Sequence, residues 1–78
     1  MENKYTFNRN EFNSLLAYYN LSKKDLAEYL GISTRTIFIK IKKGDFNLSE
    51  LQKLMVLFKP SEVMKVMFYE EQETAHEN

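Results

Sequence analysis

The chain has 78 residues, with no cysteine, no tryptophan, one proline, two glycines and one histidine. Without cysteine there is neither a disulfide staple nor a thiolate metal ligand, so the fold is held by packing alone, as suits a reducing compartment. The single histidine, His76, sits among acidic residues near the C-terminal end, which leaves no nitrogen and sulfur ligand set for a metal and no poised general base. Neither Gly31 nor Gly44 belongs to a phosphate-binding loop, and Glu70, Glu71 and Glu73 form a charge run, not a pair of carboxylates held in a pocket. No enzyme activity, cofactor or small-molecule substrate is expected. The longest unbroken apolar run, Leu54 to Phe58, falls far short of the ~18 residues that a membrane span needs. The opening MENKYTFNRNEF lacks the apolar stretch of a signal peptide, so a cytoplasmic protein without membrane association is expected.

Hydrophobic residues make up 44% of the chain, enough for one small core. Domains of this size bury only about 60% of the surface of the unfolded chain, so association with a partner, including a second copy, is expected to help. Formal net charge is zero, but its distribution is uneven. Residues 21 to 44 carry six basic against two acidic side chains, net +4, while residues 45 to 78 carry three against seven, net −4. A basic block beside an acidic one points to a localised contact surface.

Helix signals recur along the chain, and no useful length shows the period-2 alternation of a strand. Asn8 followed by Glu11 is a capping-box pattern, and Phe12, Leu15, Leu16 and Tyr19 then follow one-face helical spacing, giving a first helix over residues 9 to 19. Ser22 caps a second helix with Asp25 in its first turn and Leu26, Ala27 and Leu30 as its apolar stripe, stopped by Gly31. Ser33 caps a third that runs to Lys43 and ends at Gly44. Asn47 and Glu50 repeat the capping box for a fourth, with Leu48, Leu51, Leu54, Met55 and Phe58 as the expected buried side and Val56 outward. Pro60 and Ser61 start a short fifth helix through Val63 and Met67. The run VMKVMF at 63 to 68 reads as a cap over the core or, functionally, as a homodimer seam. The division is a domain over residues 1 to 69 and an acidic flexible tail over 70 to 78, where polarity without periodicity cannot support a packed element.

The informative stretch is 22 to 44, SKKDLAEYLGISTRTIFIKIKKG. Two helices meeting at a sharp angle need a small residue at their contact, a residue that tolerates positive φ in the turn, and apolar residues fixing both to a core. Ala27 and Gly31 meet the first two demands; Leu26, Leu30, Ile32, Ile37 and Ile41 meet the third. With LAEYLGIS at its centre, the segment resembles the helix-turn-helix of the small phage Cro and repressor family, and the resemblance covers roughly residues 8 to 68. It implies an all-α, compact five-helix domain whose third helix enters the major groove of double-stranded operator DNA, in a regulator of a lysis/lysogeny-like switch. Carried over by position, Ser33, Thr34, Arg35 and Thr36 are the implied base-edge readers, Arg35 foremost because a guanidinium grips guanine O6 and N7 together. Lys23, Lys42 and Lys43 are implied to neutralise phosphates.

Phe38 and Ile39 depart from the family, whose members usually place polar side chains there. At 100° per residue Ile39 lies about 180° from the mean direction of Ile37 and Ile41, and Phe38 about 80° off, at the boundary. Lys40, on the other flank, is expected to run its stem along the core. An outward isoleucine can pack on a thymine methyl group, which keeps DNA as the target. Alternatively Arg35, Phe38, Ile39 and Lys42 form an apolar patch in a basic rim that binds a phage repressor protein, as do anti-repressors resembling this family. A toxin–antitoxin component is a lesser alternative, and plain tolerance of both side chains at the surface is the blandest reading.

Overall fold

The computed structural model describes residues 5–70, and in it each of the first four helices begins at a side chain that closes on its own backbone. Asn8, Ser22, Ser33 and Asn47 accept the N–H of Glu11, Asp25, Thr36 and Glu50 at 3.0, 3.0, 3.1 and 2.8 Å. Each bond satisfies one of the donors that a helix start leaves open. They open α1 (Arg9–Tyr18), α2 (Lys23–Leu30), α3 (Thr34–Lys43) and α4 (Leu48–Leu57). Pro60, with its fixed φ and no N–H to waste, opens α5 (Pro60–Met67). Both glycines take the left-handed conformation that stops a helix, Gly31 at φ 75° after α2 and Gly44 at φ 72° after α3.

The helices enclose one core in which Leu26, Ile37, Ile41, Leu54 and Val63 are almost completely buried, with Phe12 and Leu16 supplied by α1. α2 and α3 form the most extensively packed pair. An aromatic group of Phe7, Phe12 and Phe46, with ring centroids 5.7 to 6.2 Å apart, closes the end of the core beside Gly44. At the opposite side the Tyr19 ring lies 5.0 Å from that of Phe58, and its hydroxyl donates to Glu62 at 2.6 Å, tying α1 to α5. No helix among the described residues is long and apolar enough to cross a membrane.

Four details differ from the sequence reading, each for a physical reason. The all-α class describes the five helices, but β1 (Tyr5–Thr6) pairs antiparallel with β2 (Tyr69–Glu70), Tyr5 opposite Glu70 and Thr6 opposite Tyr69. Two residues are too few for alternation to register in a sequence. Glu70 therefore belongs to the strand pair and not to the tail; residues 71 to 78 of the expected tail lie outside the described residues. The Asn8 capping box is only half formed, because the Asn8 N–H donates to the Val66 carbonyl at 3.0 Å and is not left for Glu11. Leu48 is 70% exposed, not buried. It lies about 120° around the helix from Leu54, whereas Glu50 lies only about 40° away and takes the inward position. Glu50 is buried, its Oε1 accepting the Asn47 N–H at 2.9 Å and lying 3.2 Å from Lys40 Nζ. In the run 63 to 68, Val63 and Val66 are buried while Met64 and Phe68 are exposed.

Candidate nucleic-acid interface

Five of the ten residues of α3 are β-branched: Thr34, Thr36, Ile37, Ile39 and Ile41. Such a sequence is a poor helix former in isolation, so α3 depends on its ends and on its buried edge. Ile37 and Ile41 supply that edge, 0% and 2% exposed. The last turn carries Lys40, Lys42 and Lys43, where positive charge meets the negative end of the helix dipole. Lys40 is the one of the three that turns inward. Its half-buried stem delivers Nζ to Glu50 and, at 3.3 Å, to the Asp45 carbonyl, so it serves the junction of α3 with α4.

The remaining side chains of α3 form an outward face. Thr34, Arg35, Lys42 and Lys43 are exposed, and between them Phe38 is 53% and Ile39 46% exposed. Ser33 caps the helix, and its hydroxyl also donates to Thr36 Oγ1 at 2.9 Å, so its proton is already used within the turn. Thr36 is half-buried but keeps its own hydroxyl proton for an outside acceptor. Of the four implied readers, Thr34 and Arg35 are therefore the two exposed ones whose polar groups are unengaged among the described residues.

Lys23 approaches this face from α2. Its Nζ lies 5.5 Å from the centroid of the Phe38 ring, a cation over an aromatic face, which joins the boundary aromatic of α3 to the first residue of α2. Asp25, the acidic residue closest in sequence, is turned to the cap: it accepts the Ser22 N–H at 3.1 Å, and hydrogen bonds from the Ser22 backbone and side chain hold its carboxyl below the usual aspartate range. Arg35, Lys42, Lys43 and Lys23 all lack an ion-pair partner among the described residues.

Sequence reasoning missed three residues that the fold brings to the edge of this face. Arg9, Asn10 and Asn13 of α1 border the same cleft as Lys23, Phe38 and Lys42. Arg9 lies far from Lys42 in the sequence, and only the packing of α1 on α3 brings them to one cleft. Local spacing carries no signal for that meeting. The chain matches no protein-family model, no curated protein and no solved structure at a significant level.

Proposed function

We propose that the protein is a small helix-turn-helix regulator of the phage Cro/repressor type that docks α3 in the major groove of double-stranded DNA. The reading is carried by one observation: the outward face of α3 gathers Arg35, Lys42 and Lys43, with Lys23 from α2, and none of them has a carboxylate partner among the described residues. Unpaired cations on a projecting helix are what a phosphate-lined groove selects. Arg35 and Thr34 are the base readers in this proposal, Ile39 packs on a thymine methyl, and Lys23, Lys42 and Lys43 contact phosphates. Arg35→Ala is expected to flatten base preference at one position, losing about 1–3 kcal/mol of discrimination, while Lys43→Ala weakens all sequences alike and lowers the slope of log affinity against log salt by about 1. A competition assay with genomic and random-sequence duplexes at several salt concentrations reads both, and identical behaviour of the two variants contradicts this division of roles.

A second reading is supported by Phe38 and Ile39, half exposed where a groove reader ordinarily carries polar groups. In it the same face docks on a phage repressor protein, the two apolar side chains anchoring a patch inside a basic rim. Ile39→Lys separates the readings. An ammonium buried without a partner costs several kcal/mol, enough to abolish a micromolar protein complex, whereas beside phosphates it strengthens nonspecific binding. Retained or improved DNA binding by the folded variant is the expected outcome; loss of a repressor complex with DNA binding intact moves the assignment to the second reading.

A further inference from the structure

Three cations from three helices border one hollow. Arg9 of α1, Lys23 of α2 and Lys42 of α3 line a cleft of about 450 Å³, together with the amides of Asn10 and Asn13. Its apolar walls are Phe38 and Ile41, and no acidic side chain among the described residues lines it. None of the three cations has a carboxylate within ion-pair distance among the described residues. Like charges around one concavity repel each other, and each raises the local potential for an anion. The ring of Phe38 and the buried side chain of Ile41 displace water on one side, so attraction there is screened less than on an open surface.

A second, separate observation concerns Asn13. Its Oδ1 is shut off from solvent and has no hydrogen-bond partner among the described residues. The partner this oxygen lacks is a hydrogen-bond donor such as water, so Oδ1 does not itself face an anion; what its burial fixes is which end of the amide is free. With the carbonyl end sequestered, the Asn13 amide keeps its two N–H donors for a neighbour, as does exposed Asn10. Arginine, lysine and amide donors lining one cleft match an oxyanion with several acceptor oxygens, not a cation or a neutral apolar ligand.

We infer that the cleft between α1, α2 and α3 is a seat for a phosphoryl group, held by Arg9, Lys23 and Lys42 and oriented by the Asn10 and Asn13 amides. Where that group is a backbone phosphate of DNA, the inference rests on the DNA-binding reading above and extends the contact surface onto α1. A free phosphate occupies the same seat independently of that reading.

Two variants test it. Arg9→Gln removes one charge from an exposed position. Asn13→Asp is nearly isosteric and places a carboxylate among the three cations, where it competes with the ligand. Isotope-labelled protein is titrated with inorganic phosphate, against chloride at matched ionic strength, while the side-chain amide resonances of Asn10 and Asn13 and the Arg9 Nε–H are followed. In parallel, duplex affinity is measured across a salt series, with thermal melting to show that each variant is folded. Phosphate-specific shifts confined to these groups and lost in Asn13→Asp support the seat, as does a decrease of about 0.9 in the log–log salt slope in Arg9→Gln on every sequence. Shifts with phosphate but no binding to any duplex leave the seat standing for a free anion and refute the DNA reading. A reduced slope without shifts identifies DNA as the source of the phosphate. Duplex binding with the slope unchanged in Arg9→Gln, combined with absent shifts or shifts spread over all lysines alike, overturns the inference.

Discussion

Helices α3 and α4 are each ten residues long, each opens on a side-chain cap, and each turns two large apolar side chains to solvent. On α4 these are Leu48 and Val56, 70% and 82% exposed; on α3, Phe38 and Ile39 are less exposed. Exposure alone therefore does not single out α3. The setting distinguishes them. Phe38 lies under the Lys23 ammonium and shares α3 with Arg35, Lys42 and Lys43, which have no ion-pair partner among the described residues, whereas the outer side of α4 offers Ser49, Gln52 and a single lysine, Lys53. Isolated apolar side chains are normal on protein surfaces, but apolar groups inside a field of unpaired charge of one sign are not. The inner faces make the complementary point, since α4 turns one carboxylate inward at Glu50 and α3 answers it with Lys40.

This contrast depends on α3 and α4 holding their mutual angle, and the turn between them is where a small change is expected to cost most. A Cβ built on Gly44 falls within 2.6 Å of the Phe7 Cβ and meets the ring as well, and the backbone there is already at φ 72°. Gly44→Ala should cost roughly 2–4 kcal/mol, from left-handed strain plus displacement of Phe7. Gly31 has the same backbone conformation, but a Cβ there meets nothing within 4 Å, so Gly31→Ala should lose only the conformational part, about 1–2 kcal/mol. Denaturant midpoints of the two variants check this. Equal losses would mean that Phe7 does not wedge the α3–α4 turn, and that the two outer faces are free to shift against each other.

The two glycines also show how far the sequence could be read. That each ends a helix was legible, because glycine takes the positive φ of a helix end at the least steric cost, although Asn20 adopts φ 57° after α1 as well. That one is open and the other blocked was not, since Phe7 lies far from Gly44 in the chain and meets it only through the core. The same division holds elsewhere. The four capped starts, the inward Ile37 and Ile41 and the outward Phe38 and Ile39 follow from local chemistry and a 100° period. The same arithmetic places Leu48 about 120° from Leu54, outside the buried stripe in spite of its hydrophobicity. The Asn8 N–H bond to Val66, the Lys40–Glu50 pair and the meeting of Arg9 with Lys42 at one cleft are long-range outcomes that no spacing rule encodes.

A smaller effect separates the supporting frame from both outer faces by titration. Glu62 accepts the Tyr19 hydroxyl and the Lys59 N–H, and these bonds hold its carboxyl below the ordinary 4.5. Its contribution is complete above that ordinary value and is lost as pH falls through the lower folded one. Tyr19 is displaced the other way, pushed up to about 12 chiefly by its bond to Glu62, so its contribution is complete below 10.0 and is lost as pH rises toward about 12. Tyr19→Phe should flatten the alkaline edge and part of the acid edge of a stability–pH profile. The rest of the acid edge should persist, because the Lys59 N–H still holds Glu62 down and Asp25, on α2, is also lowered. Neither Tyr19 nor Glu62 belongs to α3 or α4, so duplex affinity near neutral pH should be unchanged. A coupled loss of affinity would show that the frame between α1 and α5 reaches the α3 face.

The smallest expected effect is the one on which the contrast of the two helices rests most directly. Val56 is 82% exposed on α4, and replacing it with lysine removes no buried contact and leaves no polar group unsatisfied. Surface substitutions of this kind ordinarily change stability by less than about 0.5 kcal/mol. Val56→Lys should therefore melt like the parent, and because its charge is added on α4, away from the unpaired cations of α3, specific duplex recognition should be retained with at most a slight gain in nonspecific affinity. Ile39→Lys adds the same charge to the helix that carries Arg35, Lys42 and Lys43, so its effect on duplex binding should be clearly the larger. Measured side by side, the two lysine variants have the same net charge, and the helix that carries the added lysine is the main difference between them. Equal effects on binding would mean that net charge, not the α3 face, governs the interaction. A loss of stability or self-association in Val56→Lys alone would move the functional surface to the outer side of α4, where Leu48 and Val56 would then be interface residues and not tolerated exceptions.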